Sequence, residues 1–168
     1  MKWTPLPDHW HQSARHIRQH SGVQIMDRTI IGIDLAKSVF QISIANSAGR
    51  VTDRRRLSRS QFQRFLTRQS ESSLIMEACA SAHYWARTAE AHGHTVTLLH
   101  PLYVRPYVRR NKTDAADADA LIRAGRDPDL KPVPVKTPDQ QALQGLHRIR
   151  QQWLATRTQR INMVRGLL

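Results

Sequence analysis

Between residues 29 and 99 the hydrophobic rhythm of the chain changes several times, and each change marks an element. Thr29-Ile30-Ile31-Gly32-Ile33-Asp34-Leu35 is a short β-branched run, the pattern of a buried strand. Gly32 permits close approach of another element, and Asp34 stands at the strand's end. Residues 37–45 alternate instead, with Val39, Phe40, Ile42 and Ile44 on the apolar beats of a half-buried strand. Asn46-Ser47-Ala48-Gly49 reads as a turn and residues 50–57 as a third strand, so the three form an antiparallel meander. The period then becomes helical through Phe62, Phe65 and Leu66, behind a cap at Ser58 or Ser60 and ending near Gln69. Residues 72–76 form a short buried strand with Glu77 at its carboxyl end. Ser81 opens a second helix through Tyr84, Trp85, Ala89 and Ala91, with Gly93 as its C′ residue. Residues 95–99 read as a fifth strand, and after Pro101 a basic connector carries Tyr103, Arg105, Tyr107, Arg109, Arg110 and Lys112.

Asn111-Lys112-Thr113-Asp114-Ala115-Ala116-Asp117-Ala118-Asp119-Ala120 follows. Its alanines favour a helix, with Thr113 or Asp114 at the N-cap position. Asp114 and Asp117, three apart, share one face, while Asp119 points elsewhere. Two readings fit this stretch. Acids in a first turn complement the helix dipole, and two carboxylates on one face of a strongly basic chain also suit a divalent cation. The order β-β-β-α-β-α-β followed by a helix matches the ribonuclease-H-like class of mixed α/β sheet with flanking helices. In such sheets sites form at strand ends. Asp34, Glu77, Asp114 and Asp117 therefore come from three segments as oxygen donors for Mg2+ or Mn2+, and a pair of such ions supports phosphodiester hydrolysis or transfer.

Beyond Gly125 the three prolines Pro128, Pro132 and Pro134 forbid helix, so 127–137 is expected as an extended linker. Thr137-Pro138-Asp139 then starts a long helix over 138–168, with Leu143, Leu146, Ile149, Trp153, Ile161, Val164 and Leu167 at helical spacing among arginines. A basic amphipathic helix of this length suggests the start of a coiled coil joining two copies, or an arm for nucleic acid, and packing on the body is the alternative. Residues 29–126 make up the domain that carries the acids. Residues 1–28, with two tryptophans and four histidines in no clear period, read as a flexible basic tail or an upstream extension ahead of Met26.

Charge sharpens the picture. The 168 residues hold 26 Lys and Arg against 13 Asp and Glu, a net charge of +13, which favours a polyanionic partner, nucleic acid first. Lys37, Arg105, Arg109, Arg110, Lys112, Arg148 and Arg157 are the candidate phosphate contacts. Cys79 is the single cysteine, which excludes an internal disulfide framework and suits a reducing cytoplasm. No apolar run approaches the length of a membrane span.

Taken together, Ile31-Gly32-Ile33-Asp34-Leu35-Ala36-Lys37, Met76-Glu77-Ala78-Cys79 and Asn111-Lys112-Thr113-Asp114-Ala115-Ala116-Asp117-Ala118 resemble the N-terminal domain of the DEDD transposases of the insertion-sequence one-ten family, related to the Piv-type DNA invertases. His83-Tyr84-Trp85-Ala86-Arg87 and Pro101-Leu102-Tyr103-Val104-Arg105-Pro106-Tyr107-Val108 support the match. Ala80 departs from it, standing where a glycine is more usual. The resemblance implies a RuvC-like domain in which Asp34, Glu77, Asp114 and Asp117 bind divalent metal, acting in DNA transposition and recombination. It assigns Asp119 no catalytic role. It further implies a cytoplasmic, nucleoid-associated protein, DNA and a structured guide RNA as partners, and a second, serine-bearing domain that this sequence does not contain. The expectation is thus a C-terminally incomplete transposase. A non-catalytic DNA- or RNA-binding remnant and a Holliday-junction-type nuclease of the same superfold are the alternatives.

Overall fold

The computed structural model describes residues 28–108 and 114–167, without the side chains of Asp114 and Ala115. Its elements are β1 (Ile30–Leu35), β2 (Val39–Ala45), β3 (Val51–Ser58), α1 (Arg59–Arg68), β4 (Ser73–Glu77), α2 (Ala82–Glu90), β5 (Thr95–Leu99), α3 (Pro101–Val104), a 3-10 turn (Arg105–Tyr107), α4 (Asp114–Ala124) and α5 (Pro138–Arg165). The strands make one mixed sheet of order β3-β2-β1-β4-β5. β1, β2 and β3 pair antiparallel, whereas β4 lies parallel to both β1 and β5. The expected meander, both connecting helices and the mixed sheet agree with this architecture.

Period-two alternation divides the sheet into two apolar faces. Ile31, Ile33, Phe40, Ile42, Leu74, Met76 and Leu98 face α1 and α2, where they meet Phe62, Leu66, Trp85 and Ala86. Phe40, Phe62 and Trp85 pack edge to face, with ring centroids 5.1 to 5.3 Å apart. Ile30, Ala45, Ile75 and Leu99 face the other way and are covered by Ala120, Leu121, Ile122 and Ala124 of α4, with Val104 of α3 beside them. Two glycines let α4 come this close. A Cβ on Gly32 would lie 2.2 Å from the Ala118 carbonyl oxygen, and one on Gly125 would lie 2.4 Å from Ile75 Cδ1.

Local caps follow the polar residues. Ser58, not Ser60, caps α1, in a reciprocal box with Gln61. Ser81 occupies the cap position of α2 without a side-chain capping bond, and Gly93 takes a left-handed φ of 85° two residues past the C-cap Ala91, one later than the C′ position expected. Thr137 and Gln140 form a second capping box at the start of α5, with Pro138 in its first turn.

Residues 127–130 form a turn, with Leu130 N donating to Asp127 O at 3.3 Å, in place of the extended backbone expected there, and only 131–137 are extended; the segment is not a free linker. Val133 donates its backbone N–H to Leu98 O (2.7 Å), Lys136 N donates to His83 Nδ1 (3.2 Å), and Val133 and Val135 pack on the α1–α2 core. This segment covers part of the open edge of β5. α5 then leaves the body. None of its residues is buried, and Trp153 is 72% exposed. At 100° per residue its large apolar side chains, Met163 excepted, fall within roughly 140° of the helix circumference, and Arg150, Arg157 and Arg160 fall within the same arc. Among the described residues no helix is long and apolar enough to cross a membrane.

Candidate functional site

β1 and β4 run parallel, and Ile33 opposite Met76 is their last registered pair. Asp34 and Glu77 are the next residues, so they leave adjacent strand ends side by side. Alternation turns them to the face of Gly32 and Ile75, which is the face α4 covers. α4 carries Asp117 one residue before Ala118, and Ala118 rests against Gly32. Close packing at a glycine thus delivers a helical carboxylate to two strand-end carboxylates. Asp34, Glu77 and Asp117 line a single cleft of about 600 Å³, walled by Pro101, Leu102, Val104, Arg105, Val108 and Leu121.

Asp117 Oδ1 is buried and has no hydrogen-bond partner among the described residues. Burying a carboxylate oxygen without a partner costs several kcal/mol unless a charge or donor meets it. The donor set of the cleft is all carboxylate, the chemistry a hard divalent cation selects. Among the described residues, however, no three His, Cys, Asp or Glu side chains close into a metal cluster. Asp114 is the first residue of α4, one turn before Asp117, and its side chain lies outside the described part.

Asp119 belongs to a different structure. Its Oδ1 accepts from Ser43 Oγ at 2.6 Å and from Arg54 Nε at 3.2 Å, and its Oδ2 accepts from Arg54 Nη2 at 2.7 Å. Burial pushes this carboxyl up, but the Arg54 and Ser43 hydrogen bonds and the Arg54 charge outweigh it, and the group sits below the ordinary aspartate range. Asp119 clamps α4 to β2 and β3. The expectation that Asp119 points elsewhere than Asp117 agrees with this position, since Asp117 lines the cleft and Asp119 does not.

The proposed phosphate contacts disperse. Arg105 lines the carboxylate cleft. Lys37 is exposed in the β1–β2 turn, and its carbonyl accepts from Arg59 Nη1 at 3.2 Å. Arg148 lines a second cleft of about 330 Å³, between the residues after β4 and the start of α5, which also holds Cys79, His83, His100 and Lys136. His83 is buried there, and burial followed by the charges of Lys136 and Arg87 lowers its pKa. Arg157 is exposed in the second half of α5. Arg109, Arg110 and Lys112 lie outside the described residues.

The sequence reading treats the segment after β5 as a plain connector, yet it supplies one wall of the carboxylate cleft. α3 starts at Pro101, with His100 Nδ1 accepting from Leu102 N at 3.3 Å. A capping side chain followed by proline is a helix-start signal. Tyr107 directs its hydroxyl to Asp127 Oδ2, while Tyr103 is exposed beside the His100 ring.

Comparison with known proteins gives a consistent set of relatives. The family model of the IS110 DEDD group, described as a transposase, matches residues 31–168. A probable family 20 transposase of Pseudomonas aeruginosa is 46% identical over 143 residues, covering 85% of this chain and 42% of the relative. The transposase for insertion sequence element IS1328 of Yersinia enterocolitica is 39% identical, covering 83% of this chain and 42% of its own length. A putative transposase of Sinorhizobium fredii is 36% identical, with 94% of this chain and 47% of the relative covered. The chain thus spans under half the length of these curated relatives. Among solved structures, T. thermophilus RuvC in complex with Holliday junction substrate aligns at a TM-score of 0.48 and 13% identity, over 63% of this chain and 99% of that one.

Proposed function

The chain belongs to the IS110 family of DEDD transposases, and from that premise we propose that it forms the RuvC-like, metal-binding part of an enzyme acting on DNA phosphodiesters. Asp34, Glu77 and Asp117, together with Asp114, would hold Mg2+ or Mn2+. The observation that carries this reading is the convergence of three carboxylates from β1, β4 and α4 on one cleft, with an oxygen of Asp117 buried and unpartnered. Divalent metal held by these carboxylates would supply activation of an attacking oxygen and stabilisation of a leaving one. The chain's own residues set the stage. Parallel pairing of β1 and β4 holds Asp34 and Glu77 together, Gly32 sets the depth of Asp117, and Arg105 offers a forked donor to a phosphate entering the cleft. Leu102, Val104 and Leu121 give the cleft an apolar wall.

A second reading, a nucleic-acid-binding module without strand chemistry, is favoured by the exposed basic α5. We assign to α5 both self-association through its apolar residues, as the start of a coiled coil, and contact with DNA or a structured guide RNA through Arg148 and Arg157. Sedimentation of the chain as a monomer at high concentration would remove the first of these roles.

Calorimetric titration with Mn2+ separates the two readings. The chain should bind the ion, and Asp117→Asn should weaken binding about tenfold or more. In metal-free buffer the same variant should melt no lower than the parent, because it removes an unpartnered buried carboxylate. Absence of Mn2+ binding by the unsubstituted chain overturns the metal reading and leaves the binding module.

A further inference from the structure

β3 is an edge strand bearing three consecutive arginines, Arg54, Arg55 and Arg56, and the sheet register gives each a different fate. Arg54 pairs with Ser43, which pairs with Gly32. This row lies under α4, as the hydrogen bonds of Ser43 and Arg54 to Asp119 demonstrate. Arg55 points to the opposite face, where it donates to Asp53 Oδ2 at 2.7 Å and lies over the Phe65 ring. Arg56 pairs with Gln41, and Gln41 pairs with Asp34. Alternation therefore puts Arg56, Gln41 and Asp34 in one row on the α4 face, two residues along from the row that Asp119 clamps. Of the three arginines only Arg56 has no hydrogen bond or ion pair among the described residues. It is exposed, and Gln41 is half-buried with its side-chain amide likewise unused.

We propose that Gln41 and Arg56 are a phosphate-binding extension of the carboxylate cleft, receiving the backbone of a DNA strand on its way across the sheet to or from Asp34 and Glu77. This rests on the assignment of that cleft to DNA phosphodiesters. Neighbouring strands lie about 4.8 Å apart, which sets the Arg56 Cα roughly 10 Å from that of Asp34. A long side chain starting there reaches phosphates beside the one held at the carboxylates. Guanidinium binds phosphate through paired donors, and a glutamine amide adds a neutral donor between it and the acids, where a second cation would neutralise them. Lys37, in the turn at the same end of β1 and β2, borders this path. An edge-strand arginine also deters pairing between sheet edges. That role is indifferent to face and falls equally to Arg55, so the two arginines distinguish the explanations.

The test measures binding of the chain to a fluorescent 20-nucleotide DNA strand by anisotropy, over a range of KCl concentrations without divalent metal. Arg56→Ala should weaken binding about 5- to 10-fold and reduce the slope of log affinity against log salt by roughly 0.7. Arg56→Lys should restore most of the slope, and Gln41→Ala should weaken binding with the slope unchanged. Arg55→Ala should leave both quantities near the parent, and thermal melting should confirm that every variant is folded. Equal losses for Arg55→Ala and Arg56→Ala, or none for Arg56→Ala, overturn the track while leaving Mn2+ binding at the carboxylates intact. Failure of the unsubstituted chain to bind DNA overturns the track and the DNA assignment together. A change of slope on RNA of the same sequence but not on DNA overturns the assignment to a DNA strand.

Discussion

Asp117 and Asp119 stand two residues apart on one helix, roughly 200° around its axis, and the sheet beneath treats them oppositely. Asp119 finds Arg54 and Ser43, whereas Asp117 has a buried oxygen with no partner among the described residues. Dipole complementarity gives an acid a reason to be in a first turn, but not to bury an unpartnered oxygen in a cleft. Because the Asp119 carboxyl titrates below its ordinary value of 3.8, its contribution is present above the unfolded pKa and is lost as pH falls through the lowered folded one. Asp119→Asn should therefore cost about 1–2 kcal/mol at pH 7, allowing for the partial exposure of Arg54. Urea denaturation of parent and variant should converge as pH drops below the aspartate range. A constant difference at every pH would show that the lost term is packing and not charge.

Among the elements, α4 depends most on a contact the chain cannot make locally. It seats Asp117 only because Gly32 leaves room for the Ala118 carbonyl and Gly125 leaves room for Ile75. Gly32→Ala should cost about 3 kcal/mol, since the clash is with backbone and the helix must lift. Mn2+ affinity should fall with it, because Asp117 moves while Asp34 and Glu77 stay. Gly145→Ala is the control. Its Cβ would meet nothing within 4 Å, and the gain in helix propensity should stabilise α5 by up to about 1 kcal/mol. Chemical denaturation and Mn2+ titration of both variants check this pair. The helical pattern of α4 and the close approach at Gly32 were legible in the chain, as were the strand-end positions of Asp34 and Glu77. The α3 wall was less so. Its residues follow a proline and carry mixed polarity, and only the His100-Pro101 start signal marks the turn of helix.

For the whole molecule, the buried apolar side chains gather on the two sheet faces and none lies on α5. Trp85 is 3% exposed within the Phe40–Phe62 cluster, while Trp153 is 72% exposed on a helix without a buried residue. Trp85→Ala should cost about 3–5 kcal/mol, and Trp153→Ala should change stability by no more than about 0.5 kcal/mol. Thermal or urea unfolding of the two variants checks the contrast, and a large loss in Trp153→Ala would mean that α5 is covered in solution. The exposed apolar arc of α5 was readable from its spacing. The three arginines inside that arc distinguish it from a purely apolar seam. The packing of residues 127–137 on β5 and α2 was not readable, because prolines announce extended backbone and say nothing of what lies beside it.

What the chain by itself determined was the kind and order of its elements, the glycine that admits a helix, and the placing of acids at two strand ends and a helix start. Local pattern suffices for these, since apolar period, caps and turn residues act over a few neighbours. Only the tertiary structure decided which polar groups are used and which remain available. Asp119 meets Arg54 across 65 residues of chain, Asp34 and Glu77 reach one cleft through a parallel pairing, and Arg56 joins the row of Asp34 only through Gln41. Such partnerships follow from strand register and from the depth at which α4 docks. Both are set by long-range packing, to which no short stretch of sequence has access.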